Sequence, residues 1–162
     1  MKKINFLLAL LFIATIGFSQ KGIFLQVGAL QGDQPEGQTV LAYSHGISNS
    51  GTTHTGGGTG VGKANVQDLS LTLYTGKMTV EFLKAVTNGT HFPEMKLKFY
   101  NDAKKLYSQI TIKDVIVSSI SYGSSCGINN SCEKQTENVS LNFAEIKWED
   151  LGNGTSYDYV IQ

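Results

Sequence analysis

VSLNFAEIKW, residues 139–148, is the stretch that decides how the chain folds. Its apolar positions run 139, 141 and 143, and then shift by one to 144, 146 and 148. Side chains of a strand alternate strictly between two faces, so the inward face must change near Phe143–Ala144. A bulge, or a strand that leaves one sheet for another, produces such a shift, and barrels and tightly folded sandwiches need such corners. The alternative is a segment with one end buried on both faces.

The segments around this stretch also predict strands. Strand periodicity is present in residues 23–27, 40–47, 66–74, 95–100, 106–122 and 157–161. Only Met78 to Asn88 predicts a helix, with Met78, Phe82, Leu83 and Val86 on one face, Gly89 at its C-cap and Pro93 beyond. We therefore predict an all-β protein with minor α content, a compact two-sheet barrel or sandwich with one flanking helix. Residues 20–162 form its single domain.

The first 19 residues have the pattern of a secretory signal peptide. Lys2 and Lys3 precede an apolar stretch, Phe6 to Phe18, and the small residues Gly17 and Ser19 stand at −3 and −1 of a cut before Gln20. The stretch is shorter than the roughly 18–20 apolar residues of a membrane span. We predict cleavage, a secreted or periplasmic protein, and no membrane contact after the cut.

Charge argues against a nucleic-acid partner. Without Lys2 and Lys3, the 13 basic residues of the chain become 11 against 13 acidic ones, a net charge of −2. The chain contains no arginine. Recognition of phosphates and base edges relies on the bidentate guanidinium of arginine, so nucleic-acid binding is not expected.

The two cysteines, Cys126 and Cys132, lie in a polar, glycine-rich stretch with five residues between them. An oxidising compartment allows them to pair, and a short closed loop adds modest stability. Half of a zinc site is the competing interpretation. It lacks a second cysteine pair and a nearby histidine in the sequence, so the disulfide is the better prediction.

The long loop from Ser48 to about Lys63 partly matches the sequence pattern of a phosphate-binding loop. Gly57 and Gly62-Lys63 fit G-x-x-x-x-G-K, but Ala64 stands where Ser or Thr must hold magnesium. Strand periodicity also follows where a helix N-terminus should face the phosphates. We predict no nucleotide and no other cofactor. The loop glycines instead let another backbone come close; they are Gly56, Gly57, Gly58, Gly60 and Gly62.

Nothing in the sequence marks a catalytic or metal site. The histidines, His45, His54 and His91, have no partner at helical spacing. Ser125 lies in a G-x-S-x-G match, Gly123 to Gly127, but that match falls in the polar cysteine stretch, where no strand-to-helix turn is predicted. Trp148 belongs to the apolar face of its strand, so we predict that it is buried in the core. The chain is not expected to be an enzyme.

Five segments, in order and at compatible spacing, resemble the haemolysin-coregulated protein (Hcp) family of type VI secretion tube proteins. They are the strand motif LAYSHGISNSG (41–51), the segment from His54 to Ser70, GTHFPEMKL (89–97), DVIVSS (114–119) and TENVSLNFA (136–144). The resemblance covers about Gly22 to Glu149. His45 departs from it, because the motif usually has an aromatic residue there.

The resemblance implies a structural role. Subunits of the family form a hexameric ring, rings stack into a tube, and the lumen carries small effector proteins. The loop containing Gly56–Gly62 would join subunits and stacked rings, and Ser44 would face the lumen. Tube proteins of this kind assemble in the cytoplasm and normally lack a cleavable signal, so the predicted export is a second departure. The alternative function is a secreted, monomeric β-sandwich module that binds a glycan or a surface partner.

Overall fold

The computed structural model describes residues 21–49, 51, 62–126 and 132–161. In these ranges one helix, α1, spans Lys77–Asn88. The strands are β1 (Gly22–Val27), β2 (Gln38–Ser44), β3 (Ile47–Asn49), β4 (Ala64–Val66), β5 (Leu69–Tyr74), β6 (His91–Tyr100), β7 (Leu106–Gly123), β8 (Thr136–Asn142), β9 (Glu145–Asp150) and β10 (Thr155–Val160). No helix in the described ranges is long and apolar enough to cross a membrane.

Six strands close into a barrel. Their order is β7-β6-β1-β2-β5-β8, every neighbouring pair is antiparallel, and β8 returns to pair with β7. Strands β9 and β10 extend the sheet from the first half of β7, and β3 and β4 form a separate two-stranded ribbon. The prediction of a mostly β barrel with one flanking helix is therefore confirmed.

The corner predicted at Phe143–Ala144 lies where the partner of β7 changes. Residues 108–113 of β7 pair with β9, and residues 116–123 pair with β8. Between them, Asp114 has a left-handed φ of 51°, and Ala144 N–H donates to the Lys113 carbonyl at 3.0 Å. The change of inward face is confirmed, because β8 ends before this corner and β9 begins after it.

Strand β6 begins four residues earlier than the alternation at 95–100 predicts, and it includes Pro93. Register pairs Phe92 with Val115 and Glu94 with Lys113, so Pro93 falls opposite the Asp114 distortion. Proline has no N–H to donate to a ladder, and it is tolerated in a strand where pairing is irregular. Pro93 therefore marks the corner of the barrel as well as the end of the helical region.

One side of α1 packs on the barrel core. Met78, Phe82 and Ala85 are buried, and Gly89 has the left-handed C-cap conformation expected, with φ of 65°. Leu83 is exposed, so its assignment to the buried face was wrong. The core comprises Leu25, Val27, Val40, Leu69, Leu71, Leu73, Met95, Leu97, Phe99, Ile110, Ile112, Val115, Val117, Val139, Leu141, Phe143 and Ile146.

The prediction that Trp148 is a core residue is also wrong. Its side chain is 41% exposed. It points to the same face as buried Ile110, its register partner on β7, but β9 has already left the closed barrel at this point. The alternation of apolar residues predicts correctly which face of the sheet Trp148 lies on. Whether the side chain is buried depends on whether another part of the protein covers that face.

A bend divides two predicted strands. The segment 40–47 breaks between β2 and β3, and 66–74 breaks between β4 and β5. At the bend, Gln67 N–H donates to the Gly46 carbonyl at 2.9 Å. Both sides of the hairpin thus bend together, and the β3–β4 ribbon, which we call the arm, continues beyond the barrel. Of the segment predicted as loop, Ser48 and Asn49 belong to β3, whereas β4 begins just after its end, at Ala64.

Buried polar groups lie beneath the first turn of α1. Glu137 and Gln38 are each 1% exposed. The Thr79 hydroxyl hydrogen-bonds the Glu137 carboxyl, but burial is the larger effect and raises the pKa of that carboxyl above its ordinary 4.5. Glu137 Oε2 and both amide atoms of Gln38 have no hydrogen-bond partner among the described residues. The folded state therefore favours the neutral form of Glu137.

We predict that Glu137→Gln stabilises the protein more as the pH rises. The folded pKa of Glu137 lies above its unfolded value, so wild-type stability from this group is fully present below about 4.5 and is lost as pH rises through the folded pKa. The variant has no charge to desolvate and escapes this loss. Urea unfolding from pH 3.5 to 8 measures the difference. Glu133→Gln, at an exposed position, is the control, and parallel pH curves for wild type and Glu137→Gln would contradict the prediction.

Candidate functional site

The predicted lumen residue Ser44 lies in a row of hydroxyl groups. Ser44 is exposed at the end of β2. It pairs in register with Ser70 on β5, which pairs with Ser140 on β8, which pairs with Ser119 on β7. Opposite residues of an antiparallel pair project to the same face. The row therefore crosses four strands on the outside of the barrel.

A second row runs parallel to the first. Thr72 pairs with Asn138, which pairs with Ser121, and Thr72 Oγ1 donates to Asn138 Oδ1 at 2.8 Å. The seven residues of the two rows, which we call the hydroxyl face, are all small and uncharged: Ser44, Ser70, Ser119, Ser140, Thr72, Asn138 and Ser121.

Asp68 anchors the end of the hydroxyl face. Its carboxylate accepts hydrogen bonds from Ser118 Oγ at 2.5 Å and from Asn142 Nδ2 at 2.8 Å. Ser118 stands at the point where the β7–β8 register shifts by one residue. The bulge exposes an extra hydroxyl on this side, and the carboxylate fixes it, so Asp68 is occupied as an acceptor.

The hydroxyl face can recognise a partner without selecting its charge. Each hydroxyl donates one hydrogen bond and accepts others, and the amide of Asn138 does both. We find no group of His, Cys, Asp or Glu in the described ranges that could hold a metal ion. The arrangement can donate and accept hydrogen bonds over a broad surface.

His45, at the position where the resembling motif usually has an aromatic residue, packs against another aromatic ring. Its ring lies 5.8 Å from the ring of Phe143, centroid to centroid. Burial lowers the pKa of His45 below its ordinary 6.5, so the neutral ring is favoured at neutral pH. The side chain packs against the barrel corner at the base of the arm, and it leaves Ser44 exposed beside it.

Most of the predicted loop glycines lie outside the described residues. They are Gly56, Gly57, Gly58 and Gly60, whereas Gly62 is described. The Gly62 carbonyl accepts a hydrogen bond from Asn49 Nδ2 at 2.9 Å. Gly62 thus lies across from the end of β3, at the point where the arm enters the glycine segment.

The predicted cysteine pair lies at the tip of the β7–β8 hairpin. Cys126 and Cys132 are joined by a disulfide with a Cα–Cα distance of 3.9 Å. Next to it, Glu133 N–H donates to the Ser125 carbonyl at 2.8 Å. The bond closes the hairpin beyond the last ladder pair, Gly123 with Thr136.

A charged groove of about 560 Å³ lies on the outer side of β6, β7, β9 and β10. Lys113 pairs with Glu145 at 2.8 Å, Lys147 with Glu149 at 2.8 Å, and Lys96 with Glu94 at 2.9 Å. The hydrogen bond and charge of Glu145 raise the pKa of Lys113, and Lys147 lowers the pKa of Glu149. Each of the three lysines is paired, and Asp158 is a fourth carboxylate in the lining, so the charges of the groove nearly cancel.

The sequence singled out one member of the hydroxyl face and missed the others. A usable signal was present, because polar residues recur at every second position of three strands: Ser70 and Thr72, Ser119 and Ser121, and Asn138 and Ser140. Alternation shows that these residues face outward. Which strands are neighbours, and therefore that the hydroxyls form one surface, requires the topology.

Comparison with known proteins agrees with the barrel. The family model described as "Type VI secretion system effector, Hcp" matches residues 24–149. The protein hcp1 of Pseudomonas aeruginosa is 42% identical over 133 residues, which cover 77% of this chain and 80% of that protein.

Solved structures share the fold. Hcp1 from Salmonella typhimurium superposes with a TM-score of 0.69 and 24% identity, covering 86% of this chain and 93% of that one. A type VI secretion system effector from Yersinia pestis gives a TM-score of 0.68 and 17% identity, with coverages of 86% and 99%. At these identities the structural likeness supports the fold alone.

We predict that protein made in the periplasm carries the Cys126–Cys132 bond. Intact mass spectrometry should show the mature chain two hydrogens lighter than its reduced form. The double variant Cys126→Ser, Cys132→Ser should lose about 2 kcal/mol or less of unfolding free energy, because so short a loop restricts the unfolded chain little. Two free thiols in periplasmic material would refute the pairing.

Proposed function

The chain belongs to the Hcp family of type VI secretion system proteins, and from that premise we propose that it is an exported structural subunit that forms a homohexameric ring. Its role is to enclose or carry small effector proteins rather than to catalyse a reaction. The observation that carries the proposal is the match of one closed barrel, over residues 24–149, to a secretion family.

In this proposal the hydroxyl face lines the channel of the ring. Four adjacent strands present small, uncharged donors and acceptors there. A channel that holds different folded proteins must bind each weakly, and surfaces without charge or large apolar groups offer many exchangeable hydrogen bonds. Ser44 lies at one margin of that face, where the arm begins.

Residues 1–19, the predicted signal peptide, lie outside the described residues. We propose that they direct secretion across the inner membrane and that the mature chain, from Gln20 onward, assembles in an oxidising compartment. The cysteine pair at an exposed hairpin tip supports this location. Assembly outside the cytoplasm separates this subunit from a tube built inside the cell, so the ring, with or without stacking, is its working form.

The alternative is a monomeric binding module for a glycan or a surface partner. Exposed Trp148 and Tyr157, which are register partners on β9 and β10, are the features that favour it. Aromatic side chains of this kind can stack on sugars or anchor a protein partner. The mass of the mature protein in solution separates the two functions.

We predict that the mature chain elutes as a hexamer. Light scattering after size exclusion should give a mass near six chains, with no requirement for cargo or another protein. A stable monomer at tens of micromolar would contradict the ring and favour the binding module.

We predict that Gly58→Val or Gly60→Val weakens the assembly and leaves the barrel folded, because a branched side chain blocks close approach of another backbone. Gly123→Val is the matched control, because a Cβ there meets only Thr136 Oγ1 at 3.9 Å. Sedimentation measures the assembly and circular dichroism the fold. Equal hexamer content in the loop variants and the control would show that the glycines are not part of the contacts.

A further inference from the structure

Strand β10 is an open edge of the main sheet. It pairs with β9 on one side, and no described strand pairs with its other side. Edges of working monomers are commonly blocked by proline, lysine or a bulge. In β10, TSYDYV, none of these is present, and Asp158 is its one charged residue. Alternate residues of β10 therefore direct their backbone N–H and C=O groups away from β9, where a partner strand can pair with them.

An aromatic pair accompanies this edge. Trp148 and Tyr157 are opposite each other in register, and they are 41% and 67% exposed. Together with Asp150, Thr155 and Ser156 they line a shallow hollow of about 220 Å³. A strand added beside β10 would place every second side chain on the same face as Tyr157. An apolar residue at such a position would contact the Tyr157 ring. We call Trp148 and Tyr157 the aromatic ledge.

The arm supplies a second set of open edges on the same chain. β3 and β4 pair with each other and with no other described strand. Ile47, on β3, is 53% exposed although it is a large apolar residue. The strands of the arm, ISN and ANV, contain no charge. The arm is thus an uncharged, apolar-bearing ribbon with unpaired backbone.

We propose that the arm of one copy adds to the β10 edge of the next copy, with Ile47 seated against the aromatic ledge. The arm and the β10 edge each have unpaired backbone and an exposed apolar side chain, so each can supply the strand partner and the apolar contact that the other lacks. Pairing them brings no like charges together, because Asp158 is the one aspartate, glutamate, lysine or arginine in the strands concerned. The proposal rests on the proposed ring and adds the acceptor surface that receives the arm.

The arrangement allows a ring. The arm and β10 are different parts of one chain, so a head-to-tail contact between them closes into a ring when the rotation between copies allows it. A two-fold dimer would need both contacts to form reciprocally, and the mass of the assembly distinguishes that dimer from the ring. Edge-to-edge pairing supplies main-chain hydrogen bonds, and the alternate side chain gives the pairing its register.

The first experiment weakens the acceptor edge in the mature chain. Tyr157→Lys places a charge on the ledge at an edge strand, which opposes strand addition. We expect the concentration for half-assembly to rise by roughly tenfold or more. Val80→Lys introduces the same charge at another exposed apolar position, on α1, and should leave it unchanged. Circular dichroism verifies the fold, and Tyr157→Ser, without a new charge, should show a smaller loss in the same direction.

The second experiment tests proximity directly. Ile47→Cys protein mixed with Tyr157→Cys protein should form a covalent heterodimer with a short bismaleimide, and each variant alone should not. A wild-type ring with unchanged assembly in Tyr157→Lys and no heterodimer would overturn the acceptor surface and leave the proposed function intact. Equal loss in Val80→Lys would also overturn it, since the effect would not be specific to the edge. A wild-type monomer would overturn the proposed function itself.

Discussion

The barrel depends on one long strand, β7, which pairs with two different strands in succession along the same edge. β7 has 18 residues, and along one side it holds β6, while along the other it holds first β9 and then β8. Two strands cannot occupy the same edge, so the chain must turn out of one ladder and into the other at Phe143–Ala144. The left-handed Asp114 absorbs the turn on β7, and the hydrogen bond between His91 Nδ1 and Asp114 Oδ1, at 2.8 Å, fixes it. Closure of the barrel, the flare of β9 and β10 and the burial of the core all follow from this division.

The sequence predicted that the inward face changes at Phe143–Ala144, but not which side chains this change leaves exposed. A phase shift in a strand pattern reports directly on backbone geometry, so the corner could be located to a dipeptide. The exposure of Trp148 could not be predicted, because it depends on β9 leaving the barrel. The exposure of Leu83 is similar: apolar spacing on α1 admits a wider face than the barrel covers. The hydroxyl face was partly visible through Ser44, and the rest required knowledge of which strands are neighbours.

The outer surface of the barrel has one region rich in charged residues and another that is uncharged. Where β6, β7 and β9 lie side by side, lysines pair with carboxylates, between strands in Lys113–Glu145 and within one strand in Lys96–Glu94 and Lys147–Glu149. Where β5, β8 and the second half of β7 lie side by side, the outward residues are hydroxyls and amides. Cross-strand ion pairs stabilise a sheet modestly and keep its surface soluble. The uncharged side gives up that stabilisation, and the loss is understandable if the surface must accept varied partners.

The unpaired strand edges of β10 and the arm also support the proposed assembly. A six-stranded barrel has no edge of its own, since closure pairs every strand on both sides. This chain nevertheless adds β10 and the arm, which restore unpaired backbone at two places and carry exposed Tyr157 and Ile47. For a monomer these additions would be an aggregation hazard without a benefit. In the proposed ring they are complementary surfaces, because the open edge of one copy can pair with the arm of the next. The closed barrel supplies stability, and in that proposal the strands outside it serve assembly.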